Sequence, residues 1–369
     1  MIKNRTKTAF GAASICVTLG ILLCTLWPFN PFPQNRVMWL LNSNGVRITR
    51  NGLVLTAVPI VSDPGRPVTL ELYLRPYETW GTYTILDFFQ PHMPYQFRIR
   101  QYHGGLIISH QWRTEDGILK HRKVDLEGGL SHGVRALVTI SSGRQGTAVY
   151  INGKWKETYP DFRFTTSDLD GRLAIGSAAV WPEPWEGELY GFAIYSKEFT
   201  STDVQNGFDS WIGGSFSSDP QGLIARYRFT ERSGNVIGND VPAGTEMHIP
   251  NYFQVPQQAF LTLPWNEFEW SRSYVADVVR NIVGFMPFGL VCYAYLSWTR
   301  FASKAAGITI LAGASLSFGI EILQGFLPQR VSGLTDVITN TLGTVLGVWL
   351  WRSLVSRNLF RNLYLQKEP

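Results

Sequence analysis

The sequence predicts an α + β multidomain chain made of a four-helix transmembrane bundle and an extracytoplasmic antiparallel β-sandwich. Three observations carry that expectation. The 369 residues are 45% hydrophobic and 14% aromatic with a mean hydropathy near zero, but the average hides a segregation: residues 45–265 are polar-aromatic, while 9–27 and 275–351 are dominated by apolar and small residues. Four of the apolar stretches are long enough to cross a bilayer core of roughly 30 Å at 1.5 Å per residue. Between the first and second of them, runs such as "VTLELYLRP" alternate with period two, the pattern of a half-buried strand.

The first span, "AFGAASICVTLGILLCTLW" (9–27), follows Lys3, Arg5 and Lys7. "LLCTLWPFNPF" lacks a small-x-small cleavage pattern and Leu23 precedes Cys24, so the segment reads as a retained anchor, with 1–8 a cytoplasmic N-terminus and 28–44 a linker. The second span, 275–298, contains Pro287 in "FMPFG", where a kink is expected. "AAGITILAGASLSFGIEILQGF" (305–326) is the third, 336–351 the fourth, and 352–369 a cytoplasmic tail. Arg300 and Lys304 follow the second span, and Arg352, Arg357, Arg361 and Lys367 follow the fourth, whereas Arg330 alone marks the short loop between the third and fourth. The basic flanks agree on one orientation in the cytoplasmic membrane, with both termini inside and 45–265 outside.

The outer region reads as all β. Val68, Leu70, Leu72 and Leu74 alternate with polar residues, "RALVTIS" and "TAVYINGKW" repeat the pattern, and Asn152-Gly153 supplies the positive φ angles of a tight hairpin turn. "QFRIRQYHGGLIISHQW", "GRLAIGSA" and "GELYGFAIYSKEF" supply further strands. Over roughly 220 residues these fit one sandwich. Cys16, Cys24 and Cys292 all fall in spans, so the sandwich is held by its core and not by disulfides.

Polar residues recur inside the apolar part. "ADVVRNIVG" carries Asp277, Asn281 and Gly284, and "TDVITNTLG" carries Asp336, Asn340 and Gly343 at the same spacing of four and three, which puts each trio on one helix face. Glu321 and Gln324 lie near the outer end of the third span, and Arg330 in the loop beyond it. The expectation is one polar layer near the outer leaflet, a ligand-binding site with Gly284 and Gly343 letting the helices approach beneath it. Helix capping by Asp and interhelical bonding by Asn and Gln is the plainer reading of the same residues.

Other classes leave less trace. The net charge of +5 comes from span flanks, so no nucleic-acid partner is expected. His92, His103, His110, His121, His132 and His248 lack metal-ligand spacing, Asp87, Asp116, Asp125, Asp161 and Asp170 form no dense oxygen-ligand run, and neither a metal nor a cofactor is predicted. No nucleophile elbow, zinc run or phosphate loop is present. Trp80, Trp112, Trp181 and Trp185 are candidates for stacking on sugar rings, or else core and rim aromatics.

Two resemblances follow from these residues. "TAVYINGKW", then "GRLAIGSA", then "GELYGFAIYSKEFTSTDVQNGF" resembles the second half of a laminin-G-like, concanavalin A-like jelly roll, over about 45–208; this implies glycan binding. "GLIARYRFTERSGNVI" (222–237) resembles the opening strand of such a domain, and its late position leaves open whether 222–262 completes the sandwich. "DVVRNIVGFMPFG", "EILQGFLPQR" and "TDVITNTLGTVLG", with "WPFNPF" after the first span, resemble the VanZ-like family over 9–44 and 266–355, whose namesakes are associated with teicoplanin resistance.

Three functions compete. A protein binding or sensing a cell-envelope lipid, glycan or lipid-linked sugar would use both the polar layer and the sandwich. An adhesin would use the sandwich alone, and an intramembrane hydrolase would use paired carboxylates. Four spans with a shared polar layer exceed what an anchor needs, which favours the first.

Overall fold

The computed structural model describes residues 2–60, 63–91, 93–217, 220–268, 270 and 272–356. His92, Arg357, Arg361 and Lys367 lie outside the described residues. Two compact units divide the chain: Phe32–Gln258, and Met1–Pro31 together with Ala259–Pro369.

Helix α1 (Ile2–Leu26) comes first. The strands then run β1 (Val37–Trp39), β2 (Val46–Ile48), β3 (Val54–Thr56), β4 (Val68–Pro76), β5 (Thr82–Gln90), β6 (Met93–Tyr102), β7 (Gly105–Arg113) and β8 (Leu119–Leu126). They continue with β9 (Ala136–Gly143), β10 (Gly146–Ile151), β11 (Lys154–Tyr159), β12 (Arg172–Ile175) and β13 (Gly187–Tyr195). Helix α2 (Ser201–Gly213) precedes β14 (Leu223–Tyr227), β15 (Val236–Ile237) and β16 (Met247–His248). One sheet has the order β1-β2-β13-β4-β9-β10-β11 with β14 also on β13, and the other β15-β16-β3-β12-β5-β6-β7-β8. Every strand pairing among the described residues is antiparallel.

Period-two alternation places Leu70, Leu72, Val138 and Phe192 of the first sheet against Leu86, Phe88, Phe97 and Ile108 of the second in one buried core. His103-Gly104 (φ 44° and 75°) and Asn152-Gly153 (φ 52° and 76°) turn β6 into β7 and β10 into β11. The late segment does complete the sandwich, with one part in each sheet: β14 pairs with β13, and β15 and β16 extend the second sheet through β3.

Both sheets also bury part of their outer faces. Phe253 and Val255 cover Leu53, Phe89, Ala174 and Ala179 outside the second sheet. Helix α2, capped by Thr200 and Asp203, sets Trp211 on Leu137, Ala193 and Tyr195 outside the first. Beneath it Glu71 is fully buried; one carboxylate oxygen accepts from Trp211 Nε1 (2.9 Å) and Tyr195 Oη (3.2 Å), and the other has no hydrogen-bond partner among the described residues.

In the second unit α3 (Pro264–Glu267) leads into α4 (Arg272–Leu296), α5 (Ala305–Gln324) and α6 (Leu334–Ser356). Pro287 lies within α4, which is helical throughout. Among the described residues three segments, Thr6–Leu26, Tyr274–Leu296 and Ala302–Gln324, are long and apolar enough to cross a membrane. The fourth expected span differs: α6 has the length, but its first half carries Thr335, Asp336, Thr339, Asn340, Thr341 and Thr344, which lowers its apolar character. It packs on α4 through glycines instead. A Cβ added at Gly343 or Gly347 would strike the carbonyl oxygen of Ile282 or Met286, and one at Gly289 that of Thr344. Gly284, expected to share this role, faces open space, because the close contact falls on Gly289.

Burial drives the Glu71 carboxyl up from 4.5 to about 6, against the pull of the Trp211 and Tyr195 hydrogen bonds. With the folded pKa raised, the native state holds more protons between pH 4.5 and 6, so the contribution is favourable below that window and lost as pH rises through it. Glu71→Gln keeps an acceptor and removes the charge. Its melting temperature should gain on the wild type between pH 4.5 and 6.5; parallel pH curves would show that Glu71 does not titrate there.

Candidate functional site

In the membrane unit the C-terminal ends of α1 and α5 meet the N-terminal parts of α4 and α6. Gln324 Nε2 donates to the Thr25 carbonyl (3.0 Å) and Arg330 to that of Trp27 (2.5 Å), so both cap the end of α1, whose last carbonyls lack helical partners. Asn281 Nδ2 donates to Asp336 Oδ1 (2.7 Å), joining α4 to α6, and Asn340 Nδ2 donates to Ser317 Oγ of α5 (2.9 Å). Glu321 accepts from the Gly333 amide (2.8 Å) while its carbonyl accepts from Ser332 Oγ (2.8 Å).

All seven expected residues therefore lie at one end of this unit, but Asp277 is exposed and pairs with Arg280 at 2.5 Å within its own helix, and it meets Asp336 of α6 through its charge and not through a hydrogen bond. Glu267, which sequence reasoning missed, joins the group. Its carboxylate lies over Gly333, where a Cβ would displace it, and it interacts electrostatically with Glu321 and Asp336. Burial, with the Asp336 charge adding to it, raises the Glu267 carboxyl above its usual range. An acid amid the aromatics of "PWNEFEW" was the available signal. Among the described residues Asn340 Oδ1 is buried without a partner, while the amide nitrogens of Asn281, Gln324 and Asn340 all donate within the protein.

The sandwich presents a different arrangement on the outer face of its second sheet. Antiparallel register aligns Asp87 with Arg98, Arg98 with Ser109, and Ser109 with Lys123 across β5, β6, β7 and β8. Asp87 is wholly buried; its Oδ2 accepts from Arg98 (3.2 Å) and the Ala179 amide (2.8 Å). Arg98 also reaches Glu183 (3.7 Å) and lies 4.0 Å over the Tyr95 ring. Burial, outweighing Arg98, pushes the Asp87 carboxyl up to about 6.

Five buried polar atoms on this face have no hydrogen-bond partner among the described residues: Asp87 Oδ1, Gln96 Oε1, Arg98 Nε, Arg100 Nε and Gln111 Oε1. Native interiors leave few such groups. Further along β5, Phe89 lines a cavity of about 810 Å³ with Gln90, Pro91, Gly171, Arg172 and Val180. A cavity of this size, with an aromatic wall and polar groups beside it, suits a small polar ligand. The sequence signals were Asp87 in the apolar run "TILDFF" and the Gln96, Arg98, Arg100 alternation.

The four tryptophans do not form one platform. Trp185 is fully buried and donates to Gln101 Oε1 (3.0 Å), so it belongs to the core. Trp80 is 75% exposed, edge-on to His103 beside the β6–β7 turn. Trp112 stacks on His110 (4.9 Å, 20°) at the far end of β7, roughly 25 Å away by strand rise. Trp181 is half-buried in the β12–β13 connection.

Comparison with known proteins agrees with both parts of this architecture. Residues 49–205 match the concanavalin A-like lectin/glucanases superfamily and residues 227–357 match VanZ/LLP1. The chain thus contains a VanZ-like membrane region and a concanavalin A-like sandwich. Protein VanZ of Enterococcus faecium is 36% identical over 75 residues, 20% of this chain and 44% of that protein, so the chain spans less than half the length of this relative. Among solved structures, a putative carbohydrate-binding protein of Bacteroides ovatus is 13% identical with a TM-score of 0.41, covering 56% of this chain and 57% of its own. A heptameric pentraxin of Limulus polyphemus is 16% identical with a TM-score of 0.35, covering 60% and 94%.

The Asn281–Asp336 bond should couple α4 to α6. In a cycle of Asn281→Ala, Asp336→Ala and the double variant, thermal stability in detergent should show about 0.5–3 kcal/mol of coupling. Additive losses would mean the two side chains do not share a bond.

Proposed function

We propose that this chain is an integral protein of the cytoplasmic membrane that binds a cell-envelope saccharide, free or lipid-linked, on the outer face of the second sheet of its sandwich. The observation that carries this reading is the concentration, among the described residues, of five unpartnered buried polar atoms on that one face, with the Phe89 cavity further along the same sheet. A hydroxyl-rich ligand supplies both donors and acceptors, so it suits Arg100 and Gln111 alike. The superfamily match over 49–205 supports the same reading.

The membrane unit, as four packed helices, holds the sandwich outside the cytoplasm with both termini inside. Its polar layer lies near the outer leaflet, where Glu267, Glu321, Asp336 and Asn340 are placed to meet a lipid headgroup. Envelope binding of this kind fits the glycopeptide resistance that the family resemblance implies.

Detergent-solubilised full-length protein, applied to an array of envelope saccharide fragments, should retain a subset of them. Arg100→Ala and Gln111→Ala should each weaken that retention about tenfold or more, the scale of one hydrogen bond to a charged or fully desolvated group. An unlabelled array, or variants that bind as the parent does, would sink the assignment. For orientation, reporters fused at Gly207 and Pro369 should report opposite compartments, and equal compartments would contradict it.

A further inference from the structure

The first sheet carries a second polar row, at the end of its outer face away from α2. The register of β2, β13 and β4 puts Glu188 directly between Arg47 and Arg75. Leu74 pairs with Ala136, so the next position along the row beyond Arg75 belongs to Arg135. Four neighbouring chain segments thus present Arg47, Glu188, Arg75 and Arg135 side by side.

Glu188 organises the row. Its carboxylate accepts from Tyr77 Oη (2.5 Å), Arg47 (3.1 Å), Arg75 (3.5 Å) and the Tyr190 hydroxyl. Arg75 is held further by its Nε on the Gly133 carbonyl (2.6 Å), and Arg135 lies 4.2 Å over the Tyr190 ring. Burial opposes ionisation of Glu188, but the Tyr190, Tyr77 and Arg47 hydrogen bonds and the Arg75 charge outweigh it and hold the carboxyl at about 2. It is therefore ionised at neutral pH, and three guanidiniums face one carboxylate whose acceptor capacity is already taken.

Those residues line a cavity of about 550 Å³. A surplus of two positive charges on oriented guanidiniums is the geometry that recognises phosphate, because each planar fork can give paired hydrogen bonds to two oxygens. On the same cavity wall Met38 is 52% and Leu41 91% exposed, so an apolar group would sit beside the anion.

We infer that the Arg47, Arg75 and Arg135 cavity on the first sheet is a binding site for a phosphate ester, either a soluble sugar phosphate or the headgroup of an anionic lipid. It lies on the opposite sheet from the saccharide face, so either can fail without the other. Arg135 meets the Tyr190 and Tyr73 side chains and, unlike Arg47 and Arg75, is not ion-paired to Glu188, which makes it the cleanest of the three to change.

The test titrates the full chain in detergent with glucose 1-phosphate by calorimetry. In parallel, native mass spectra count adducts of phosphatidylglycerol against phosphatidylcholine. Saturable heat that weakens at high salt, and falls at least tenfold in Arg135→Glu with the melting temperature unchanged, identifies a soluble ester as the ligand. No heat, but phosphatidylglycerol adducts lost in Arg135→Glu, identifies a headgroup. Arg100→Ala should leave both signals as they are. If neither probe binds, or Arg135→Glu binds either as well as the parent, the site is not a phosphate site.

Discussion

A carboxylate taken out of water must be surrounded by donors or give up its charge, and the sandwich meets this demand three times with different completeness. Glu188 has four donors and stays ionised down to about pH 2. Asp87 has Arg98 and one amide on a single oxygen, and Glu71 has an indole and a phenol on a single oxygen; both are pushed up to about 6 by burial. Each sits on the outer face of a sheet, where a strand's second parity faces away from the core. The well-satisfied carboxylate leaves surplus positive charge around it, whereas the poorly satisfied Asp87 leaves unmet hydrogen bonds beside it. The chemistry available to a ligand follows from that difference.

The fold was legible where the rule is local. Alternation in "VTLELYLRP" and the Asn152-Gly153 turn specify β4 and the β10–β11 hairpin without reference to anything distant. The sites were not, since they depend on register. Arg47 and Arg75 meet Glu188 across 141 and 113 residues of chain, and no spacing in the sequence announces such a row. Trp185 shows the same limit from the other side: beside Pro184 its sequence fits a sugar-stacking aromatic and a core aromatic equally, and only the fold, which brings its indole to Gln101, decides for the core.

In the membrane unit the two acid-amide repeats are identical in spacing and unlike in fate. Helical periodicity places Asp277 and Asn281 on one face, but only the amide hydrogen-bonds α6, and Asp277 pairs with Arg280 at the surface. The second copy supplies the acid of the joining bond. What the repeat encodes is one cross-helix contact built from half of each copy, with the glycine contacts of Gly289, Gly343 and Gly347 bringing the two backbones close enough for it. Glu267, outside both repeats, reaches the cluster through the chain turn that pairs Thr262 with Gly333.

The proposed saccharide surface is the outer face of the second sheet. Hydrogen–deuterium exchange of the full-length protein, with and without an envelope saccharide retained on the array, tests this directly. Added protection should concentrate in peptides from β5, β6 and β7, around Asp87, Arg98, Arg100 and Gln111, with β9 to β11 of the first sheet unchanged. Protection confined to the first sheet or to the helices, with β5 to β7 exchanging as before, would contradict it.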